Sequence, residues 1–114
     1  MAFLELVRQG APATRFAIEN DRAVIGRSSD CDVPLDVAAV SRRHAAILRE
    51  RDRFFVEDLD SRNGTFLNEQ RVVSRTPLRD GDQLSICGQM LRFHGDHNIA
   101  DSALAGNFNL ADLM

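Results

Sequence analysis

The stretch AVIGRSSDCDVPLDVAAVSRRHAAIL (residues 23–48) decides the fold of this chain. Its two ends, residues 23–25 and 45–48, are short apolar runs typical of buried β-strands. Gly26-Arg27 follows the first run, and Ser41-Arg42-Arg43-His44 precedes the second. Aspartates and a proline predict an irregular loop over residues 27–41. Both polar groups therefore stand where a strand meets a loop, which is where β-scaffolds present side chains to ligands.

A second polar junction, SRNGTFLN (residues 61–68), has the same character. Asn63-Gly64 predicts a turn, and residues 65–67 predict a strand. The guanidinium of Arg27 is a planar fork of donors that is always charged. The Ser41 hydroxyl and the Asn63 amide can both donate and accept hydrogen bonds. Such groups, on separate loops at one end of a β-sandwich, suit a phosphate attached to a peptide.

Further short β-type runs recur along the chain. They cover residues 3–7, 15–19, 54–56, 71–73, 83–87 and 90–93. Turn signals rich in Asp, Asn and Gly separate them, and no segment before residue 95 carries a sustained helical stripe of apolar residues. Many short strands at this spacing predict an all-β sandwich or barrel.

Length and charge narrow the possible functions. The chain has 114 residues, of which 44% are hydrophobic, enough for one domain with one core. All 14 basic residues are arginine and the net charge is −3, which argues against nucleic acid or an anionic membrane as a general partner. No apolar run could span a bilayer and no signal peptide is evident, so we expect a cytoplasmic protein. Two cysteines without C-x-x-C spacing predict reduced thiols and no zinc site.

The end of the chain differs from the rest. Three of the 17 acidic residues, Asp96, Asp101 and Asp112, lie after residue 95, which leaves 14 to balance the 14 arginines of residues 1–95. We expect residues 1–95 to form the domain. Residues 96–114 are predicted to be a flexible or partly docked extension, or a linker to a C-terminal effector domain.

Several motifs in order along residues 3–94 resemble the forkhead-associated (FHA) domain family. They are Gly26-Arg27, Cys31-Asp32-Val33-x-Leu35, Ser41-Arg42-x-His44-Ala45, Ser61-x-Asn63-Gly64-Thr65-Phe66-Leu67-Asn68 and Gly81-Asp82. The resemblance implies an FHA-type β-sandwich of two twisted, mostly antiparallel sheets with about eleven strands. It also implies recognition of phosphothreonine in an extended peptide by loops at one end.

The resemblance assigns roles to individual residues. Arg27 is similar to the principal phosphate ligand, Ser41 to a hydroxyl donor to the same phosphate, and Arg42 to a residue that touches phosphate or peptide backbone. Arg62 and Asn63 match peptide-contacting positions, Asn63 being the amide that grips the peptide backbone. The positions that match structural members of the motif are Gly26, His44, Gly64, Thr65 and Asn68.

The chain departs from the family pattern at two positions. Glu69 stands where glycine is common, which predicts either a different turn type or mild strain at Glu69. Ala39, two residues before Ser41, occupies a position that helps select the residue three places after the phosphothreonine. An uncharged alanine there predicts an apolar or unselective preference.

The sequence thus predicts a phosphothreonine-peptide recognition module, an adaptor or regulatory domain in bacterial Ser/Thr-kinase signalling. The alternative is a phosphorylation-independent docking or oligomerisation domain. Catalysis is not expected, because Ser41 and His44 lack an evident third orienting group and no Gly-rich nucleotide loop is present. No cofactor or metal is expected either.

Overall fold

The computed structural model describes residues 2–95, and within that range the regular structure consists of eleven β-strands. The strands are β1 (Phe3–Val7), β2 (Thr14–Ala17), β3 (Arg22–Gly26), β4 (Val33–Pro34), β5 (Ala45–Glu50), β6 (Arg53–Asp58), β7 (Phe66–Leu67), β8 (Gln70–Arg71), β9 (Thr76–Leu78), β10 (Gln83–Ile86) and β11 (Gln89–His94). No helix in this part of the chain is long and apolar enough to cross a membrane.

Two sheets form a sandwich. The six-stranded sheet has the order β2-β1-β11-β10-β7-β8, and the five-stranded sheet has the order β4-β3-β5-β6-β9. The pair β3–β4 is parallel, and the other strand pairs of residues 2–95 are antiparallel. The predicted all-β fold of two mostly antiparallel sheets is confirmed.

The core lies between the sheets and follows the two-residue period of β-strands. In β1, Leu4 and Leu6 are buried while Phe3 and Glu5 remain half-exposed. On other strands the core between the sheets takes Ala23, Ile25, Ala45, Ile47, Phe54, Val56, Leu84, Ile86, Leu91 and Phe93. The central strands β3 and β5 are buried on both faces, since Val24 and Ala46 are buried as well. Neighbouring side chains point to opposite faces of a sheet, so one apolar row of each strand faces the interior.

The sequence pattern does not predict β4 and β9. Each contains a proline, Pro34 or Pro77, and each is an edge strand of the five-stranded sheet. Edge strands tolerate proline because one side of the backbone has no ladder partner, whereas proline in a sequence argues against a strand. The predicted irregular loop over residues 27–41 is therefore wrong at Val33–Pro34.

The hairpin between β7 and β8 shows how the chain accommodates Glu69. Asn68 and Glu69 have φ of 48° and 73°, and Leu67 pairs directly with Gln70. Two positive φ values in a two-residue loop correspond to a type I′ turn. Glu69 therefore takes a positive φ of the kind that glycine favours, which is where mild strain is expected, and the expectation of a different turn type is wrong.

Loops from both sheets meet at one end of the sandwich, here called the apex. It comprises residues 27–32, 36–44 and 59–65 and the β10–β11 turn at residues 87–88. β11 begins beside the apex and ends at His94, which pairs with Phe3. Ala2 and Gly95 therefore lie towards the opposite pole, away from the apex. The predicted extension, residues 96–114, lies outside the described residues.

Candidate ligand-binding apex

Arg27 and Ser41 are neighbours because two backbone segments approach closely at Gly26. The Arg27 N–H donates to the Ser41 carbonyl at 2.9 Å, and the Ser28 N–H donates to the Arg42 carbonyl at 3.3 Å. These bonds carry the β3–β5 pairing onwards into the apex. A Cβ on Gly26 would lie 2.0 Å from the Arg42 carbonyl oxygen. Glycine is needed here for lack of space, since backbone cannot yield as a flexible side chain can.

The Arg27 side chain is half-buried at the apex. Its Nη1 donates to the Ala38 carbonyl at 3.2 Å, and no carboxylate of residues 2–95 forms an ion pair with it. The guanidinium therefore has one positioning bond and keeps an uncompensated positive charge. It is not withdrawn into an internal ion pair.

The Ser41 hydroxyl is oriented by the loop that follows β6. Its Oγ accepts the backbone N–H of Arg62 at 3.1 Å. Since a hydroxyl has one proton and two lone pairs, this bond leaves the proton available for donation to a ligand. The same contact ties Arg62 to the loop that carries Ser41, 21 residues away in sequence.

His44 joins the two apex loops from beneath and is fully buried. Its Nδ1 accepts the Ser41 N–H at 3.1 Å, so Nε2 carries the ring proton and donates to the Gly64 carbonyl at 2.8 Å. Both ring nitrogens are thus engaged with backbone groups. His44 holds the loops in register, and neither nitrogen is available as a base or metal ligand.

Asn63 is exposed beside the same loop. Its Nδ2 donates to the Ala39 carbonyl at 2.9 Å, and the Cys87 thiol donates to that carbonyl at 3.2 Å. The next residue, Gly64, has φ of 87°, the left-handed conformation that favours glycine. The amide oxygen of Asn63 has no hydrogen bond within residues 2–95 and is available to an incoming backbone N–H.

A partly buried hydrogen-bond network around Asp58 supports this loop. Asp58 accepts the Ser61 N–H at 3.0 Å, the Ser61 hydroxyl at 2.6 Å and the Thr65 hydroxyl at 2.7 Å. Burial raises the pKa of Asp58, but the bonds from Ser61 and Thr65 outweigh burial and leave the pKa below its ordinary value. Sequence reasoning missed Asp58. The signal was an aspartate three residues before a serine, a spacing typical of a side-chain-capped turn.

The residues predicted to touch phosphate share one recess of about 390 Å³. Its lining consists of Arg27, Ala38, Ala39, Val40, Ser41, Arg42, Arg43 and Arg62. Asn63 adjoins the recess through Ala39. Asn68 lies apart from it on the β7–β8 hairpin, where its side chain bonds to Asp82 and to the Gln83 N–H at 3.0 Å each.

A recess of similar volume at the opposite pole differs in charge. Its lining includes Arg53 and Arg79 but also Asp52 and Asp80, beside several apolar side chains. Positive and negative groups balance there, whereas the apex recess is lined by four arginines and no acid. The apex is therefore the better site for an anion.

The chain is thus an all-β sandwich whose loops bring arginines, a serine and an asparagine together at one end. This arrangement is typical of β-sandwich domains that recognise a ligand with their loops. The family model for the FHA domain matches residues 23–87, more than half of the chain. The chain belongs to the FHA domain family.

Individual relatives agree with this placement. The chain is 41% identical over 69 residues to the transcriptional regulatory protein EmbR of Mycobacterium tuberculosis, covering 60% of this chain and 18% of EmbR. It is 39% identical over 84 residues to the glycogen accumulation regulator GarA of the same organism, covering 73% of this chain and 51% of GarA. The structure of M. tuberculosis EmbR with a low affinity phosphopeptide superposes with a TM-score of 0.76 at 33% identity, covering 85% of this chain and 26% of EmbR. The chain thus spans about half of GarA and less than a fifth of the curated EmbR sequence.

Proposed function

We propose that the apex binds phosphothreonine within an extended peptide. Arg27, Ser41 and Arg42 bind the phosphate, and Arg62 and Asn63 hold the peptide. The observation that carries this proposal is the convergence of the Arg27 guanidinium and the Ser41 hydroxyl on one recess whose described lining contains no acid. The phosphopeptide in the EmbR structure supports the same ligand class.

The chemistry of these groups matches a phosphate dianion. Phosphothreonine carries about −1.5 to −2 charges at neutral pH and presents three acceptor oxygens. Arg27 and Arg42 supply opposite charge, and charge-assisted bonds to phosphate are about twice as strong as neutral ones. The Ser41 proton, left free by the bond from Arg62, donates to a further oxygen. The Asn63 amide oxygen accepts a peptide N–H.

Preference for threonine over serine requires a contact with the extra methyl group. Burying one methyl contributes about 0.8 kcal/mol, or about fourfold in affinity. A stronger preference therefore requires that the methyl group also order the phosphate in the recess.

The similar proteins and the buried histidine together support a role for this domain in the whole protein. The similar proteins EmbR and GarA are named as regulators, and both ring nitrogens of the buried His44 are occupied. We propose a non-catalytic recognition domain, residues 1–95, in a regulatory or adaptor protein of cytoplasmic Ser/Thr-kinase signalling. Residues 96–114 form its extension or a linker to an effector domain.

A titration with three matched peptide libraries tests the proposal. The libraries fix phosphothreonine, phosphoserine or threonine at the central position and vary the flanks. We expect selective capture of the phosphothreonine library, with single peptides binding at about micromolar Kd. Arg27→Ala removes the main charge partner and should weaken binding by about 2–5 kcal/mol, or roughly 30- to 4,000-fold.

Arg53→Ala is the matched control, since it removes an exposed arginine at the opposite pole. It should leave the affinity unchanged. Equal affinity for threonine and phosphothreonine peptides would contradict the proposal and favour a phosphorylation-independent docking domain.

A further inference from the structure

The apex carries more positive charge than one phosphate needs. Four arginines, Arg27, Arg42, Arg43 and Arg62, line the recess. Arg43 reaches Asp30 at 3.7 Å, with both side chains more than half exposed. Three guanidinium groups remain after this pair is set aside, and they face the roughly two negative charges of a phosphothreonine. One of them therefore lacks a counter-charge in a singly phosphorylated ligand.

Arg62 is the group left over. Arg27 and Ser41 are joined directly by backbone, and Arg42 follows Ser41, so these three define the phosphate position. Arg62 comes from the other loop. No carboxylate among residues 2–95 forms an ion pair with its exposed guanidinium.

The backbone of Arg62 is nevertheless held firmly. Its N–H is bonded to the Ser41 hydroxyl, and the amide of the next residue, Asn63, is bonded to the Ala39 carbonyl. The Asp58 network braces the loop from behind. Because the loop is already ordered, binding a ligand there does not carry the entropy cost of ordering the loop backbone, which strengthens the contact.

We propose that Arg62 forms a second anion subsite, an inference that rests on the function proposed above. It selects phosphothreonine peptides that carry another negative group, a carboxylate or a second phosphate, close to the phosphothreonine. An extended peptide advances about 3.3 Å per residue, so groups up to three residues away lie within roughly 10 Å of the phosphate. The adjacent Asn63, which grips the peptide backbone, keeps this part of the ligand beside Arg62.

Isothermal titration of the full chain with designed peptides tests the subsite. The reference peptide has a central phosphothreonine and alanine at the flanking positions. One arm places a single glutamate at each of the three positions on either side, and another arm places phosphoserine at the same positions. The measured quantity is the affinity of each flanked peptide divided by that of the reference peptide, for wild type, Arg62→Gln and Arg53→Gln. General losses of binding cancel in this ratio.

We expect glutamate at the best position to raise the wild-type ratio to about two- to fivefold, as for an exposed ion pair. A second phosphate should raise it about tenfold or more, since it accepts charge-assisted bonds. A rise in the phosphoserine arm alone identifies a second phosphate as the source of the anion, whereas a rise in the glutamate arm shows that a carboxylate suffices. Arg62→Gln should bring the ratio to about one, Arg53→Gln should preserve it, and added salt should lower it.

A ratio near one at every position in the wild type would overturn the subsite, whatever the variants do. So would an Arg62→Gln ratio equal to that of the wild type, with circular dichroism showing that the variant is folded. If the proposed function itself is wrong, the reference peptide binds no better than its unphosphorylated form, a result that is distinct from the loss of the subsite alone.

Discussion

Replacing the buried His44 by alanine tests whether one side chain holds the two apex loops together. The imidazole bonds to the Ser41 N–H and to the Gly64 carbonyl and is fully buried. Leaving a buried polar group unsatisfied costs about 1–3 kcal/mol, and the missing ring leaves a cavity as well. We expect His44→Ala to lower the free energy of unfolding by about 3–5 kcal/mol. That is a large part of the 5–15 kcal/mol typical of a domain.

Urea unfolding followed by circular dichroism measures this loss. With a denaturant dependence of about 1–3 kcal/mol per molar urea, the midpoint should fall by roughly 2 M. Phosphothreonine-peptide affinity, measured well below the new midpoint, should fall by at least about tenfold, because Ser41 and Asn63 are no longer held in register.

His94→Ala is the matched control. His94 is a partly exposed histidine at the opposite pole, bonded to Glu5 at 2.9 Å. His94 also stacks on Phe3, with ring centroids 4.4 Å apart. Its replacement should cost about 1–2 kcal/mol, less than His44→Ala, and leave the peptide affinity unchanged. Retention of both stability and affinity in His44→Ala would refute the argument that this ring connects the loops.

Three further substitutions test other parts of the structure. Gly26→Ala places a Cβ against the Arg42 carbonyl, so it should lower the free energy of unfolding by about 1–3 kcal/mol and also weaken peptide binding. Gly10, by contrast, has open space around it and a positive φ, so Gly10→Ala should lower stability but leave peptide affinity unchanged. Normal peptide affinity in Gly26→Ala would contradict the close approach of the two backbone segments. Asp58 has a lowered pKa, so its contribution to stability is complete above about pH 4 and is lost as the pH falls through its folded-state pKa. Asp58→Asn should therefore flatten the acid limb of a stability–pH curve and weaken peptide binding, and an unchanged limb would exclude the network as its origin. Glu69→Gly should stabilise the domain by about 0.5–1 kcal/mol in urea unfolding, because glycine relieves the positive φ at this turn; no gain would mean that Glu69 is unstrained.

The fold was largely predictable because its strands carry strong local signals. The predicted run over residues 3–7 matches β1, and most other runs overlap strands to within a few residues. The exceptions, β4 and β9, are edge strands that contain proline. Their strand character comes from a neighbour on one side rather than from their own residues.

The candidate site was predictable only in part. Two signals indicated Arg27, Ser41 and Asn63: each is a polar residue near the end of a predicted strand, and each belongs to one of several motifs in order along the chain. Asp58 was missed because its importance lies in three bonds accepted from Ser61 and Thr65, which single-residue character does not reveal.

By itself the sequence determined most of the strands, the core pattern and the chemistry offered at each junction, because these depend on residues close together in the chain. The tertiary structure alone decided which groups meet. The Ser41 hydroxyl receives the Arg62 N–H from 21 residues away, and the Ala39 carbonyl receives the Cys87 thiol from 48 residues away. Such contacts follow from the order of strands in two packed sheets, which places loops distant in sequence around one recess and leaves four arginines there without an acidic lining.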